Sequence, residues 1–205
     1  MQKVRIAVLV SGGGTNLQTI IDAVSAGNIN GEIAVVISDR ENAYALERAK
    51  KFGIKAVYID RKNCAERLMD ELQNMNTELV ILAGYLTILD RELVRAYEGR
   101  IINIHPSLIP AFCGKGFYGE KVHKAAVEYG VKVSGATVHF VDEGTDSGPI
   151  ILQESVPVFA EDTAETLDAR VLEVEHRILT EAVRLFCEGR LRIEGRKVKV
   201  VSEEV

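Results

Sequence analysis

The strongest constraint on this chain's fold is an alternation. Short runs of Val, Ile and Leu recur through its first half, and a stretch with helical spacing follows each one. The runs Arg5–Val10, Glu32–Ser38, Lys55–Ile59, Leu79–Ala83, Ile101–His105, Val133–Phe140 and Gly148–Val156 are too unbroken for one-sided strands and suit strands buried on both faces. Helical spacing covers Leu17–Ala26, Ala43–Phe52, Asn63–Asn74, Asp90–Tyr97, Gly119–Tyr129 and Thr163–Glu188. Gly27, Gly53, Gly99 and Gly130 lie just past helix ends, where a left-handed residue stops the chain. The order βαβαβαβαβ, then αββα, implies an α/β fold: a doubly wound, mostly parallel seven-stranded sheet with helices on both faces and right-handed crossovers. Near the end, RLRIEGRKVKV alternates around Glu194–Gly195 as a small hairpin would.

Composition narrows the class. No repeat, low-complexity tract or Pro/Ser-rich linker interrupts the 205 residues, so residues 1–205 read as a single domain. A chain of this length buries about 70% of its unfolded surface. Apolar residues make up 47% and charged residues 27%, as in a soluble globular protein. A net charge of −5 argues against a nucleic-acid partner. MQKVRIAVLVSGGG lacks signal-peptide character, and no run approaches the roughly 18 apolar residues of a membrane span. The three cysteines, Cys64, Cys113 and Cys187, show no CxxC or Cys/His metal spacing. The expectation is a cytoplasmic protein with reduced thiols, no metal and no membrane partner.

In such sheets ligands gather at the carboxyl ends of the strands. After the first strand comes SGGGTNLQ, residues 11–18. A strand, a glycine loop and a helix start together suit an anion, because free N–H groups and the helix dipole point outward. The dinucleotide fingerprint fails at Leu17, and no Gly-Lys-Ser/Thr follows for a P-loop. Two readings stay open: one phosphate held by Gly14, Thr15 and Asn16, or a tight turn without a ligand.

After the fifth strand, RIINIHPSLIP places Asn103 and His105 two apart, on one face of the strand. HFVDEGTDSGPIILQ carries Asp142, Glu143 and Asp146 in a loop that its glycines allow to turn sharply. A carboxylate beside an imidazole favours the charged ring, and an asparagine amide suits an oxygen gaining negative charge. With no nucleophile elbow nearby, Asn103, His105 and Asp146 suggest direct acyl transfer to an amine. The alternative is a satisfied strand-end histidine and a turn aspartate.

SGGGTNLQ, LAGYLTIL, NIHPSLIP and GATVHFVDEGTDSGPIILQ, in this order, resemble the phosphoribosylglycinamide formyltransferase family, folate-dependent enzymes of purine synthesis. The likeness runs from about Val4 to the last long helix. It implies the Rossmann-like formyltransferase fold, with the ribonucleotide phosphate in the N-terminal half and the folate and catalytic loop in the C-terminal half. It implies Asn103, His105 and Asp146 as catalytic residues. Gly14, Thr15, Asn16 and Glu175 would meet the ribonucleotide. Leu86, Thr87, Ile88, Leu89, Asn103 and Asp142 would meet the folate. The co-substrates implied are 10-formyltetrahydrofolate and glycinamide ribonucleotide, joined through a tetrahedral intermediate without a metal. Thr87 stands where many members carry arginine, and AFCGKGFYGEKVHK replaces a Tyr-Pro-Gly-Leu-His stretch.

Three rival functions make different demands on the sequence. A tRNA formyltransferase needs an added nucleic-acid-binding domain, and a formyl-folate hydrolase is expected to carry an N-terminal regulatory domain. A nucleotide-binding module without activity leaves Asn103, His105 and Asp146 idle. Among the other histidines, His139 reads as a supporting residue at the core edge and His123 as part of the segment near the active-site loop. His176, which follows Glu175, reads as structural or substrate-adjacent.

Overall fold

A computed structural model describes residues 2–62 and 64–202. The expected alternation is present. β1 (Val4–Val10), β2 (Gly31–Ser38), β3 (Ala56–Tyr58), β4 (Leu79–Leu82) and β5 (Ile101–His105) are linked by α1 (Thr15–Ser25), α2 (Tyr44–Lys51), α3 (Cys64–Asn74) and α4 (Arg91–Ala96). α5 (Glu120–Tyr129), β6 (Val133–Phe140), β7 (Ile150–Pro157), α6 (Ala164–Cys187), β8 (Leu191–Glu194) and β9 (Lys197–Val200) follow. The helix expected over Asn63–Asn74 is found from Cys64; Asn63 lies outside the described residues.

The sheet has nine strands rather than seven, in the order β3-β2-β1-β4-β5-β6-β7-β9-β8. The two extra strands are the C-terminal hairpin. It docks on β7 through one parallel register pair, Ile150 with Lys197, and so extends the sheet instead of standing apart. β1 to β5 are parallel, and β6 and β7 are antiparallel.

The aliphatic runs are explained by burial on both faces. Along β1, Ile6, Val8 and Val10 pack with α1, α2, α5 and α6, while Ala7 and Leu9 pack with α3 and α4. Each fully buried Leu or Ile contributes about 1.5–3 kcal/mol. α6 is started by a reciprocal cap between Thr163 and Thr166 and buries the stripe Leu167, Val171, Val174, Ile178 and Leu179. Glu175 interrupts that stripe, an anomaly in a core that points to a polar partner. No described helix is long and apolar enough to cross a membrane.

Candidate active site

Three backbone features bring the polar residues together. Asn103 and His105 end β5, paired with His139 and Thr137 of β6. The loop after β6 folds back so that Asp146, in the left-handed region at φ 54°, faces the end of β5. Aspartate tolerates that conformation better than most residues. Asp142 shapes the loop: its Oδ1 accepts from the Gly144 N–H at 3.0 Å and the Ser147 hydroxyl at 2.6 Å. At Gly148 a side chain would collide with the Phe140 carbonyl, so only glycine fits.

The result is a convergent set. His105 Nδ1 lies 3.6 Å from Asp146 Oδ2, with both side chains mostly buried. His105 Nε2 is 3.0 Å from the Phe112 carbonyl. That carbonyl only accepts, so Nε2 carries a proton. His139 Nδ1 is likewise 2.8 Å from the Phe140 carbonyl, which leaves its Nε2 to accept from the Asn103 amide at 3.0 Å. Burial holds the His139 pKa below its ordinary value, consistent with a neutral ring in that role. His139 thus fixes the Asn103 amide, as its supporting reading requires.

These groups open into a cleft of about 290 Å³ whose other wall is the 86–89 segment. Leu86 and Ile88 are exposed there, Ile88 by 74%, and form an apolar face beside the polar cluster. The segment is held from beneath. The Leu86 N–H donates to Ser11 Oγ at 2.8 Å, and Thr87 Oγ1 donates to Asp39 at 2.6 Å. Asp39 also receives two guanidinium nitrogens of Arg61, each at 2.9 Å. Thr87 therefore turns inward rather than toward a ligand. Leu86, Thr87, Ile88, Leu89, Asn103 and Asp142 all line this cleft.

The glycine loop forms a second centre. Gly14, at φ 73°, is the N-cap of α1 and offers no side-chain cap. The first turn of α1 holds no acidic side chain, and Thr15 is exposed. Asn16 is buried, and its Nδ2 donates to Glu175 Oε2 at 2.7 Å across 159 residues of sequence. Burial pushes the Glu175 carboxyl up to about 7. Of the four expected ribonucleotide residues, Asn16 and Glu175 are thus in direct contact, and Gly14 and Thr15 precede Asn16 at the helix start.

Sequence reasoning missed the backbone of residues 112–114. Phe112, at φ 47°, turns its carbonyl onto His105, and the Gly114 N–H donates to Asp146 Oδ2 at 2.8 Å. The available signal was the glycine-rich departure from the family at CGKG. His123 is buried on α5, with Nε2 3.0 Å from Asp168 of α6 but out of line for a hydrogen bond. Among the described residues no group of three or more His, Cys, Asp and Glu side chains is arranged to hold a metal ion.

A doubly wound sheet with this cluster at its strand ends defines a class, and comparison agrees: the Formyl transferase family profile matches residues 4–183, so the chain belongs to that family. Within it, the chain is 45% identical over 196 residues to the phosphoribosylglycinamide formyltransferase of Haemophilus influenzae, covering 93% of this chain and 90% of that protein. It is 42% identical over 197 residues to the chloroplastic phosphoribosylglycinamide formyltransferase of Vigna unguiculata; the match covers 93% of this chain but spans only 63% of that protein. The crystal structure of glycinamide ribonucleotide transformylase 1 from Symbiobacterium toebii superposes with a TM-score of 0.92 at 50% identity, over 98% of this chain and 95% of that one.

Proposed function

We propose that the protein transfers the formyl group of 10-formyltetrahydrofolate to the amine of glycinamide ribonucleotide, a phosphoribosylglycinamide formyltransferase step of de novo purine biosynthesis. One observation carries this reading: Asn103, His105 and Asp146 converge at the mouth of an apolar-walled cleft, with imidazole and carboxylate 3.6 Å apart. The 86–89 segment and Asp142 bind the folate, and Gly14, Thr15, Asn16 and Glu175 bind the ribonucleotide. Residues 1–205 act as one domain, with the phosphate site in the N-terminal half and the folate and catalytic loop in the C-terminal half.

The amine attacks the formyl carbon, and charge develops on the formyl oxygen. Asn103 meets that oxygen with its amide, already oriented by His139. The His105 Nε2–H meets it by exchanging the Phe112 carbonyl for the substrate oxygen. Asp146 balances the ring's positive charge and guides the amine proton to the folate N10, whose bond to the formyl carbon breaks as the tetrahedral species collapses and tetrahydrofolate leaves. Holding both substrates in one cleft turns a bimolecular encounter into a local one. The three free thiols, with no disulfide among the described residues, fit the cytoplasm.

The test is an absorbance assay of folate deformylation with and without glycinamide ribonucleotide. Turnover that depends strictly on the ribonucleotide is expected. Deformylation at the same rate without it identifies a hydrolase instead.

A further inference from the structure

The glycine loop is not free to choose its own peptide orientation. α2, which lies beside it, takes hold of two consecutive carbonyls. The Ala45 N–H donates to the Gly12 carbonyl at 3.1 Å, and Arg48 Nε donates to the Gly13 carbonyl at 2.8 Å. In a trans peptide the N–H points opposite to the C=O. Drawing these carbonyls toward α2 therefore turns the N–H groups of Gly13 and Gly14 away from it. Neither N–H meets an acceptor among the described residues.

Arg48 is itself fixed. Its Nη1 donates to Gln18 Oε1 at 3.1 Å, so one guanidinium ties the loop to the first turn and a half of α1. Its Cζ lies 4.9 Å from the centre of the Tyr44 ring. No carboxylate among the described residues pairs with it within 4.0 Å, whereas Arg5, Arg61, Arg95, Arg170 and Arg184 each have such a partner. A half-buried, unneutralised guanidinium thus sits against an uncapped helix start.

We infer that Arg48 is a positioning residue for the ribonucleotide phosphate: it locks the Gly13–Gly14 peptide so that the loop's N–H groups face the phosphate oxygens, and its unpaired charge favours that anion. The inference rests on the proposed function, since it assumes a phosphate-bearing substrate. It assigns Arg48 no contact with the reacting atoms. The planar fork matters as well as the charge, because a lysine cannot make both the Gly13 and Gln18 bonds at once.

The test compares wild type, Arg48→Met and Arg48→Lys with two amines: glycinamide ribonucleotide and the same ribonucleoside without its phosphate. Arg48→Met is expected to raise KM for the ribonucleotide by about 10- to 100-fold, the scale of a lost charge-assisted contact. kcat and KM for the formyl-folate should stay within about 3-fold, since Arg48 bonds to Gly13 and Gln18 and to no residue of the folate wall. Arg48→Lys should recover part of the loss. With the dephosphorylated amine, kcat/KM of all three should agree within that same margin. Equal losses for both amines, or an unchanged ribonucleotide KM, overturn the inference. Thermal unfolding confirms that each variant is folded, and Arg48→Lys carries the test if Arg48→Met is not. A wild type without ribonucleotide-dependent turnover overturns the proposed function instead, a distinguishable result.

Discussion

His105 sits between two demands. Its Nε2–H satisfies the Phe112 carbonyl, and its Nδ1 faces the Asp146 carboxylate. Asp146 in turn is held by the Gly114 N–H, with His139 Nε2 3.8 Å from its other oxygen. The ring is thus held by protein groups on both nitrogens, and in the proposed reaction only its Nε2–H bond passes from the Phe112 carbonyl to the substrate oxygen, as a donor to developing charge. Removing one such donor costs about 10²–10³ in rate. His105→Ala and Asp146→Asn are therefore expected to lower kcat by at least that range while circular dichroism and unfolding midpoints stay near wild type. Near-normal turnover in both purified variants would remove these residues from the chemistry. Of this cluster, the meeting of Asn103, His105 and Asp146 was legible in sequence because alternate strand residues share a face and a glycine-rich loop can turn a carboxylate toward it, although a satisfied strand-end histidine and a turn aspartate suited the same residues. The carbonyl of Phe112 was not, since a backbone group carries no sequence signature.

At the scale of elements, the glycine loop shows how packing imposes a residue choice. Gly14 is in the left-handed region, and a Cβ there would meet Ala45 Cβ at 2.6 Å. Both the conformation and α2 exclude a side chain. Gly14→Val should therefore destabilise the fold by roughly 1–3 kcal/mol, the usual cost of overpacking and a strained backbone. It should also weaken ribonucleotide binding far more than folate binding. Titration calorimetry with each ligand checks this; equal losses for both would show a general collapse rather than a local block. The helix periods predicted α1 over Leu17–Ala26, yet it begins at Thr15. Thr15 is exposed and Asn16 is turned onto Glu175, so the apolar spacing of α1 starts only at Leu17. The C-terminal hairpin was visible by alternation, but its docking on β7 was not. One register pair between distant segments leaves no periodic trace.

For the molecule as a whole, buried titratable groups set a pH response. Burial lowers the pKa of His123, His139 and His176, with Asp168 opposing the shift at His123. Each folded-state value lies below the unfolded value of about 6.5, so the unfolded chain takes up protons first as pH falls. Stability is fully present above that pH and declines below it. Glu175 works the other way. Its folded value of about 7 exceeds the ordinary 4.5, so its burial costs stability above pH 7 and the cost fades on acidification. Glu175→Gln should accordingly raise the unfolding midpoint at pH 8 and steepen the loss toward pH 5.5, the shift corresponding to up to about 3 kcal/mol. A midpoint unchanged at pH 8, or a shallower acid loss, would contradict this assignment.

The amino-acid order alone set the strands and helices, because burial on two sheet faces or one helix face imposes a period that any window of residues displays. It also set the kinds of chemistry available, since amide, imidazole and carboxylate side chains cannot be exchanged for apolar ones unnoticed. Which groups touch was left to tertiary packing. Asn16 meets Glu175, Arg48 meets the Gly13 carbonyl and Arg61 meets Asp39 only once helices settle on the sheet. Those contacts join segments far apart in the chain, where closure depends on the sum of many packed surfaces and on no local pattern.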